Sequence, residues 1–149
     1  MRRIVLGVVL AGLAATASAQ GSSIHVMQPQ IRASLGNVPT AAAYLTLHNR
    51  GPADRLVGAS CACAAAVTLH TTVDQGGVAR MVEEKTIALP AGGQVAFAPG
   101  GRHLMLTGLK APLRAGAKAD IVLRFEKAGA ITAAFIATDT PGGGGHAGH

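Results

Sequence analysis

Four side chains in this sequence have the types and the spacing of a site for a soft metal ion. In chain order they are His70, Met81, His103 and Met105, and ten, twenty-one and one residues separate them in turn. Imidazoles and thioethers are neutral ligands that suit Cu(I), whereas zinc favours thiolate, histidine and carboxylate, and calcium and magnesium favour oxygen. A thioether needs no deprotonation and cannot be lost to a disulfide, so only the two histidines would make binding depend on pH. The pattern therefore predicts a Cu(I) site.

The same four residues lie in segments that alternate as β-strands do. In "RHLMLTG" the two leucines alternate with His103 and Met105, so burial of the leucines would place the imidazole and the thioether together on the opposite face. His70 in "AVTLHTTV" and Met81 in "GVARMVEE" stand opposite aliphatic positions in the same way. We therefore expect the four side chains to form one patch at the rim of a β-structure.

The chain begins with a segment that has the order of a cleavable secretory signal. Residues 1–19, "MRRIVLGVVLAGLAATASA", contain two arginines, an apolar run and an Ala-Ser-Ala site before Gln20. The apolar run is short for a membrane anchor, and no cysteine follows it as in a lipid-anchored protein. We expect a soluble protein exported to a periplasm, with no membrane span once the signal is removed.

The remainder of the chain predicts one all-β domain and a short tail. Strand-like runs separated by Gly and Pro turns follow one another from Ile24 to Ala137, with no helix-length periodic segment. Such a pattern favours an antiparallel sandwich or barrel, and we assign residues 20–137 to this domain. Residues 138–149, "TDTPGGGGHAGH", are expected to form a flexible tail that carries His146 and His149.

Composition speaks against nucleic-acid binding and against catalysis. The formal net charge is +6, but the basic residues are scattered, and with one tyrosine and no tryptophan few side chains could stack on bases. The seven carboxylates form no evident pair near the histidines, and the sequence has no nucleophile motif. Two cysteines are too few for a disulfide framework, so the fold must rest on its apolar core. We expect a monomeric binding protein rather than an enzyme.

The sequence resembles the PCu(A)C family of periplasmic copper chaperones, whose signature is H-x10-M-x21-H-x-M. The likeness extends over roughly residues 24–136 and includes "AAAYLTLHNRG", "DRLVGAS", "LPAGGQVAFAPGGRHLMLTGL" and "LRFEKAG". Membership would imply a cupredoxin-like Greek-key sandwich that binds Cu(I) through the four signature residues, His70, Met81, His103 and Met105. It would also imply delivery of copper to the CuA centre of a haem-copper oxidase, and so a part in cytochrome oxidase assembly or in periplasmic copper homeostasis. One departure is that many relatives carry a tryptophan where this chain reads "MQPQIRASLG".

Two further groups of potential ligands lie outside the signature. Cys61 and Cys63 in "SCACA" are open to three interpretations: auxiliary thiolate ligands for copper, a redox-active pair, or loop residues without a role. A disulfide between residues two apart would close a very small ring. His146 and His149 in the tail are candidates for an auxiliary Cu(II) site that is not preformed.

Three more residues with metal-binding side chains are given no such role. His25 and Met27 repeat the His-x-Met spacing in "SSIHVMQPQ", but no partners follow them at the signature spacing. We interpret them as ordinary residues of the first strand. His48 alternates with leucines near the end of a strand-like run, and we assign it no role.

Two other functions compete with that of a copper chaperone. A cupredoxin electron carrier needs a cysteine thiolate near the last histidine of its site, but both cysteines precede His70. An exported sandwich that binds another protein and no metal would leave the His and Met spacing unexplained. A chaperone would pass Cu(I) by ligand exchange to a copper-accepting protein, such as the CuA-bearing oxidase subunit, or to a thiol-based copper-handling partner.

Overall fold

The computed structural model describes residues 23–141, and this part of the chain consists of β-strands and their connections. The ten strands are β1 Ile24–Arg32, β2 Thr40–Asn49, β3 Asp54–Cys61, β4 Ala64–Gln75, β5 Val78–Glu83, β6 Ile87–Leu89, β7 Gln94–Phe97, β8 Arg102–Leu109, β9 Lys118–Phe125 and β10 Gly129–Thr138. Residues 23–141 contain no helix. The prediction of an all-β fold is confirmed.

Seven of the strands form a closed ring, and the other three attach to it. Neighbouring strands follow the order β5-β4-β8-β2-β1-β10-β9-β3-β6, while β7 pairs with β2. A further pairing between β3 and β4, at Ala59 and Val67, joins the two ends of the path from β4 to β3. The pairs are antiparallel except β1 with β10, which is parallel. In this barrel or sandwich, β4 and β8 lie side by side and β5 is the edge strand next to β4.

The interior is apolar because alternate residues of each strand point inward. Leu104 and Leu106 of β8 have no solvent exposure, and Leu69 of β4 is 3% exposed. The same alternation on the other strands buries Ile31, Leu45, Leu47, Leu56, Ile87, Leu89, Ile121, Leu123 and Phe135. Burial of these residues leaves the intervening positions of β4 and β8, including His70 and His103, on the face turned away from the core.

A buried amide holds the end of β2. Asn49 has no solvent exposure, and its Nδ2 donates to the carbonyl oxygens of Pro52 at 2.8 Å and Leu89 at 3.2 Å. Its Oδ1 accepts a hydrogen bond of 3.0 Å from the backbone amide of Gly51. A fully buried polar side chain requires such partners, so these bonds fix the connection from β2 to β3 against β6.

A carboxylate at the start of β3 holds the turn between β9 and β10. Asp54 accepts hydrogen bonds from the backbone amides of Arg55 at 2.8 Å, Lys127 at 2.9 Å and Ala128 at 2.9 Å. Partial burial alone would raise the pKa of Asp54, but these amide bonds outweigh it and lower that pKa below the ordinary value for an aspartate. The ionised form of Asp54 therefore stabilises the folded chain.

Several predictions from the sequence concern residues outside 23–141. The secretory signal of residues 1–19 and the tail residues His146 and His149 lie there, and they stay predictions. The last strand, β10, ends at Thr138, where the tail was predicted to begin. Within the described residues, no helix is long and apolar enough to cross a membrane.

Candidate metal site

The pairing of β4 with β8 brings the two signature histidines together. His70 lies directly opposite His103 in this antiparallel pair. The centroids of the two rings are 5.7 Å apart and the ring planes meet at 28°, which is a stacked arrangement. Bonds from a metal ion to imidazole nitrogen are about 2 Å long, so the two rings are close enough to share one ion.

Met105 lies next to this histidine pair on the same face. It follows His103 by two residues on β8, so both side chains leave the strand on one side. Its partner across the sheet is Thr68, which precedes His70 by two residues on β4. Diagonal neighbours in an antiparallel pair are about 7–8 Å apart, within the reach of a methionine side chain. The thioether of Met105 can therefore approach an ion held by the two imidazoles.

Met81 reaches the same face from the edge strand. On β5 it lies opposite Thr72, and Glu83, two residues further on, lies opposite His70. Met81 is therefore a diagonal neighbour of His70, as Met105 is on the other side. Met81 is 58% exposed, because β5 has a neighbour on one side only and each of its residues is exposed. The four signature residues thus share one face, with Met81 at its open side.

His103 is held in one orientation by its own strand. The residue is 6% exposed, and its Nδ1 lies 3.3 Å from the backbone carbonyl oxygen of Gly101. A carbonyl oxygen can only accept a hydrogen bond, so Nδ1 carries the proton in this contact. The lone pair of Nε2 then remains available to a metal ion. Such a bond to the second ring nitrogen is the usual way in which a ligating histidine is oriented.

His70 has a nitrogen that no protein group satisfies. Its Nε2 lies 2.9 Å from Oγ1 of Thr68, whereas its Nδ1 is buried and has no hydrogen-bond partner. Among the described residues, Nδ1 of His70 is the one buried side-chain nitrogen or oxygen that lacks a hydrogen-bond partner. An unsatisfied buried polar atom costs about 1–3 kcal/mol, a cost that a metal ligand bond would remove. In the tautomer in which Nε2 donates to Oγ1 of Thr68, the lone pair of Nδ1 is available for that bond.

Thr68 is a positioning residue that the sequence reasoning missed. Its hydroxyl orients the ring of His70, and its backbone position pairs with Met105. The signal was present in the sequence, because Thr68 stands two residues before His70 in "VTLH" and so shares its face.

An ion pair beside the site ties the end of β5 to β8. Nε of Arg102 lies 3.0 Å from Oε2 of Glu84, and the backbone amide of Glu84 donates to the carbonyl oxygen of Leu69 at 2.8 Å. These contacts hold the residue that follows β5 against β4 and β8. They therefore limit how far the strand that carries Met81 can move from the histidine pair.

An open cleft adjoins the site on the side of Met105. It has a volume of about 260 Å³, and besides Met105 it is lined by residues 32–35, Val38 and residues 40–42. Leu35 and Val38 are large apolar side chains that are 81% and 48% exposed. The site therefore borders an exposed apolar surface made by the connection between β1 and β2.

The two cysteines do not join the four-residue site. Cys61 and Cys63 form a disulfide with each other. Cys63 directly precedes Ala64, which pairs with Leu109, whereas His70 pairs with His103 much further along the same two strands. Six residues of strand correspond to about 20 Å at the usual rise per residue. In this arrangement the cysteines lie away from the four signature residues, while auxiliary copper ligation by Cys61 and Cys63 and a redox-active pair both stay predictions.

Within residues 23–141, no group of three or more His, Cys, Asp or Glu side chains is placed to hold a metal ion. The signature residues of this part of the chain include two methionines, Met81 and Met105. Thioether and imidazole together favour Cu(I) over zinc, calcium or magnesium. The tail residues His146 and His149 lie outside the described residues.

Comparison with known proteins gives the chain a family. Residues 24–137 match the family described as "Putative lipoprotein LpqE-like". The "Putative lipoprotein Lxx21020" of Leifsonia xyli subsp. xyli is 40% identical over 114 residues, which are 75% of this chain and 68% of that protein. The "Uncharacterized protein RP573" of Rickettsia prowazekii is 34% identical over 110 residues, which are 70% of this chain and 61% of that protein.

Solved structures of PCuAC domains have a similar fold. The copper-bound PCuAC domain from PmoF2 has a TM-score of 0.68 and 29% identity, over 80% of this chain and 95% of that chain. Apo-DR1885 from Deinococcus radiodurans has a TM-score of 0.63 and 30% identity, over 94% of this chain and 95% of that chain. The CuI-DR1885 structure has a TM-score of 0.61 and 29% identity, over 85% of this chain and 84% of that chain. The resemblance to the PCu(A)C family is confirmed, and the chain belongs to the LpqE-like family of PCuAC-type domains.

Proposed function

We propose that this protein is an exported copper chaperone that binds Cu(I) through His70, Met81, His103 and Met105 and releases it to a periplasmic acceptor. The observation that carries the proposal is the stacked pair of His70 and His103, in which Nδ1 of His70 is buried without a hydrogen-bond partner. Two methionines flank this pair on one face. The copper-bound PmoF2 domain and CuI-DR1885 support copper as the cargo.

The proposed ligands suit release as well as binding. Two imidazoles and two thioethers are neutral, so they leave the charge of Cu(I) uncompensated, and a thiolate-bearing acceptor would bind the ion more strongly. His103 is 6% exposed and oriented by a backbone carbonyl, whereas Met81 is 58% exposed on an edge strand. We therefore assign the first exchange step to Met81: its copper–sulfur bond breaks as a ligand of the acceptor binds the ion.

The proposed acceptor approaches the face that carries the four signature residues. The apolar side chains of Leu35 and Val38 border the cleft beside Met105 and could contact a partner while copper is exchanged. The CuA-bearing subunit of a haem-copper oxidase is the acceptor that we propose, with a thiol-based copper-handling protein as the alternative. Either acceptor would offer thiolate ligands, and both would be reached from the same face.

The proposal includes several features that extend beyond the site. The fold is assigned to the cupredoxin-like Greek-key class, the protein acts as a monomer without catalytic activity, and residues 1–19 are removed on export. The family description refers to lipoproteins, but no cysteine follows the apolar run of this chain, so we propose a soluble mature protein. His146 and His149 are proposed to form an auxiliary Cu(II) site.

Anaerobic titration with Cu(I) against a chromophoric chelator tests the proposal. We expect one tight equivalent in the wild type, its loss in the double variant His103→Ala, Met105→Ala, and an affinity at least about tenfold lower in Met81→Leu. Val82→Leu is the matched control, because Val82 neighbours Met81 on β5 but leaves the strand on the other side. Absence of tight binding in the wild type would leave an interaction module without metal. Unchanged binding in the double variant would exclude the four-residue site.

A further inference from the structure

A second cluster of histidine and methionine lies on β1 and β2, remote from the first. His25 on β1 lies directly opposite His48 on β2, and Met27 lies opposite Thr46. Since side chains two residues apart share a face, His25, Met27 and His48 leave the sheet on one side. Directly opposite side chains have their Cβ atoms about 4.5–5.5 Å apart, and diagonal neighbours are about 7–8 Å apart. All three side chains can therefore approach one small ion.

The arrangement repeats three residues of the four-residue site, both histidines and one methionine, in sequence and register. At the first site the strand segment "TLH" of β4 pairs with "HLM" of β8, so that His faces His and Thr faces Met. At the second, "TLH" of β2 pairs with "HVM" of β1 in the same antiparallel register. In both copies of "TLH" the leucine is buried, at 0% for Leu47 and 3% for Leu69, so each histidine lies on the face turned away from the core.

The two clusters are too far apart to be parts of one site. Met105 of the first cluster lies opposite Ala42 on β2, and His48 is six residues further along that strand. Six residues of strand span about 20 Å. Each cluster must therefore hold its own ion.

The backbone changes course directly after Met27. The register of β1 with β2 shifts between Met27 and Gln30, and Gln28 has a φ of 50°, the one positive φ of a residue other than glycine among residues 23–141. Bulges of this kind redirect a strand and its side chains, and they are frequent next to functional sites. The irregularity leaves the pairing of His25 and Met27 with β2 intact and begins where that pairing ends.

We propose that His25, Met27 and His48 form a second Cu(I) site, with two imidazole ligands and one thioether. The identity of the ion rests on the proposed function, because histidine and methionine are also the ligands that we assign to Cu(I) at the first site. The second site has one thioether fewer, and His25 is exposed. No edge strand supplies a counterpart of Met81, since the neighbour of His48 on its other side is Gln94 of β7. We therefore expect this site to fill after the first.

Methyl NMR of the methionines separates the two sites during one Cu(I) titration. The full mature chain with His146→Ala and His149→Ala, which removes the tail histidines, is labelled at the methionine methyl groups and titrated anaerobically. We expect the Met81 and Met105 signals to shift with the first equivalent and the Met27 signal with the second. A Met27 signal that stays unshifted when three equivalents have been added would overturn the second site. Unshifted Met81 and Met105 signals would instead contradict the proposed function.

Two single variants test the ligands of the second site. His48→Ala should abolish the shift of the Met27 signal and leave those of Met81 and Met105 unchanged, and the exposed His25→Ala should do the same without disturbing the core. Gln94→Ala is the matched control, because Gln94 pairs with His48 and is not a proposed ligand. Persistence of the Met27 shift in both histidine variants would overturn the assignment. Loss of the shift in Gln94→Ala but not in the histidine variants would overturn it as well.

Discussion

Replacement of Thr68 by valine tests whether a single hydrogen bond orients His70 for copper. Oγ1 of Thr68 lies 2.9 Å from Nε2 of His70, and Nδ1 of the same ring has no hydrogen-bond partner. Valine keeps the branched shape of threonine and removes the hydroxyl, so the ring loses the contact that fixes its rotation. The ring of His70 is then no longer held in the orientation that we propose for copper binding.

The size of the effect follows from the role of Thr68 as a positioning residue. Removal of a group that orients a ligating histidine costs about 10–100-fold in metal affinity, or about 1.4–2.8 kcal/mol. The folded protein without copper loses one ordinary hydrogen bond, so its free energy of unfolding should fall by less than about 1.5 kcal/mol. Thr68→Val is therefore expected to reduce the affinity for Cu(I) more than it reduces stability.

The assay is chelator competition for Cu(I), with urea denaturation of the apo protein measured in parallel. Thr107→Val is the control, because Thr107 lies on the same face of β8 as Met105 and its Oγ1 donates a hydrogen bond of 3.4 Å to the carbonyl oxygen of Ala66 rather than to a histidine. Thr107→Val should keep the wild-type affinity. An affinity within twofold of the wild type in Thr68→Val, or equal losses in the two variants, would refute the role assigned to this hydrogen bond.

Three further predictions concern the framework that carries the site. Asn49→Ala removes the hydrogen bonds of a fully buried side chain and should lower the free energy of unfolding by about 2–3 kcal/mol in urea denaturation, and a loss below about 0.5 kcal/mol would contradict that role. Gly108→Ala would place a Cβ 2.7 Å from the Cβ of Ala65 at a φ of 64°, so we expect a loss of about 1–3 kcal/mol. Ala65→Gly should restore part of that loss, and no restoration in the double variant would contradict the steric reason. Asp54→Asn should cost about 1 kcal/mol at neutral pH. Folding lowers the pKa of Asp54, so the extra stability of the wild type over Asp54→Asn is present above the unfolded pKa of about 4. It is lost as the pH falls through the folded pKa. A stability difference that does not change with pH would contradict this account.

The strands and their inward faces could be predicted from the sequence because their signal is local. Leu104 and Leu106 alternate with His103 and Met105, and the two leucines have no solvent exposure in the structure. The alternation alone therefore indicated which side chains leave β8 together. It could not indicate that His103 is 6% exposed or that the ring of His70, from another strand, stacks against it.

Register is the part that local patterns could not supply. Sequence spacing offers no metal-binding partner for His25, and local alternation gives no role to His48, but the pairing of β1 with β2 places them directly opposite each other. Pairing between strands depends on turns, bulges and core packing along the whole barrel, so sequence spacing is a poor guide to it. Cys61 and Cys63 illustrate the reverse case, since they stand close before His70 in the chain but the extended β4 carries them away from it.

The most direct test of the proposed copper site is X-ray absorption of the full chain loaded with one equivalent of Cu(I). Ligation by His70, Met81, His103 and Met105 predicts two sulfur and two nitrogen neighbours around copper. In the triple variant Met27→Leu, Met81→Leu, Met105→Leu, which also removes the thioether of the proposed second site, no sulfur neighbour should remain. A spectrum of the wild type with no sulfur neighbour would contradict the proposed site.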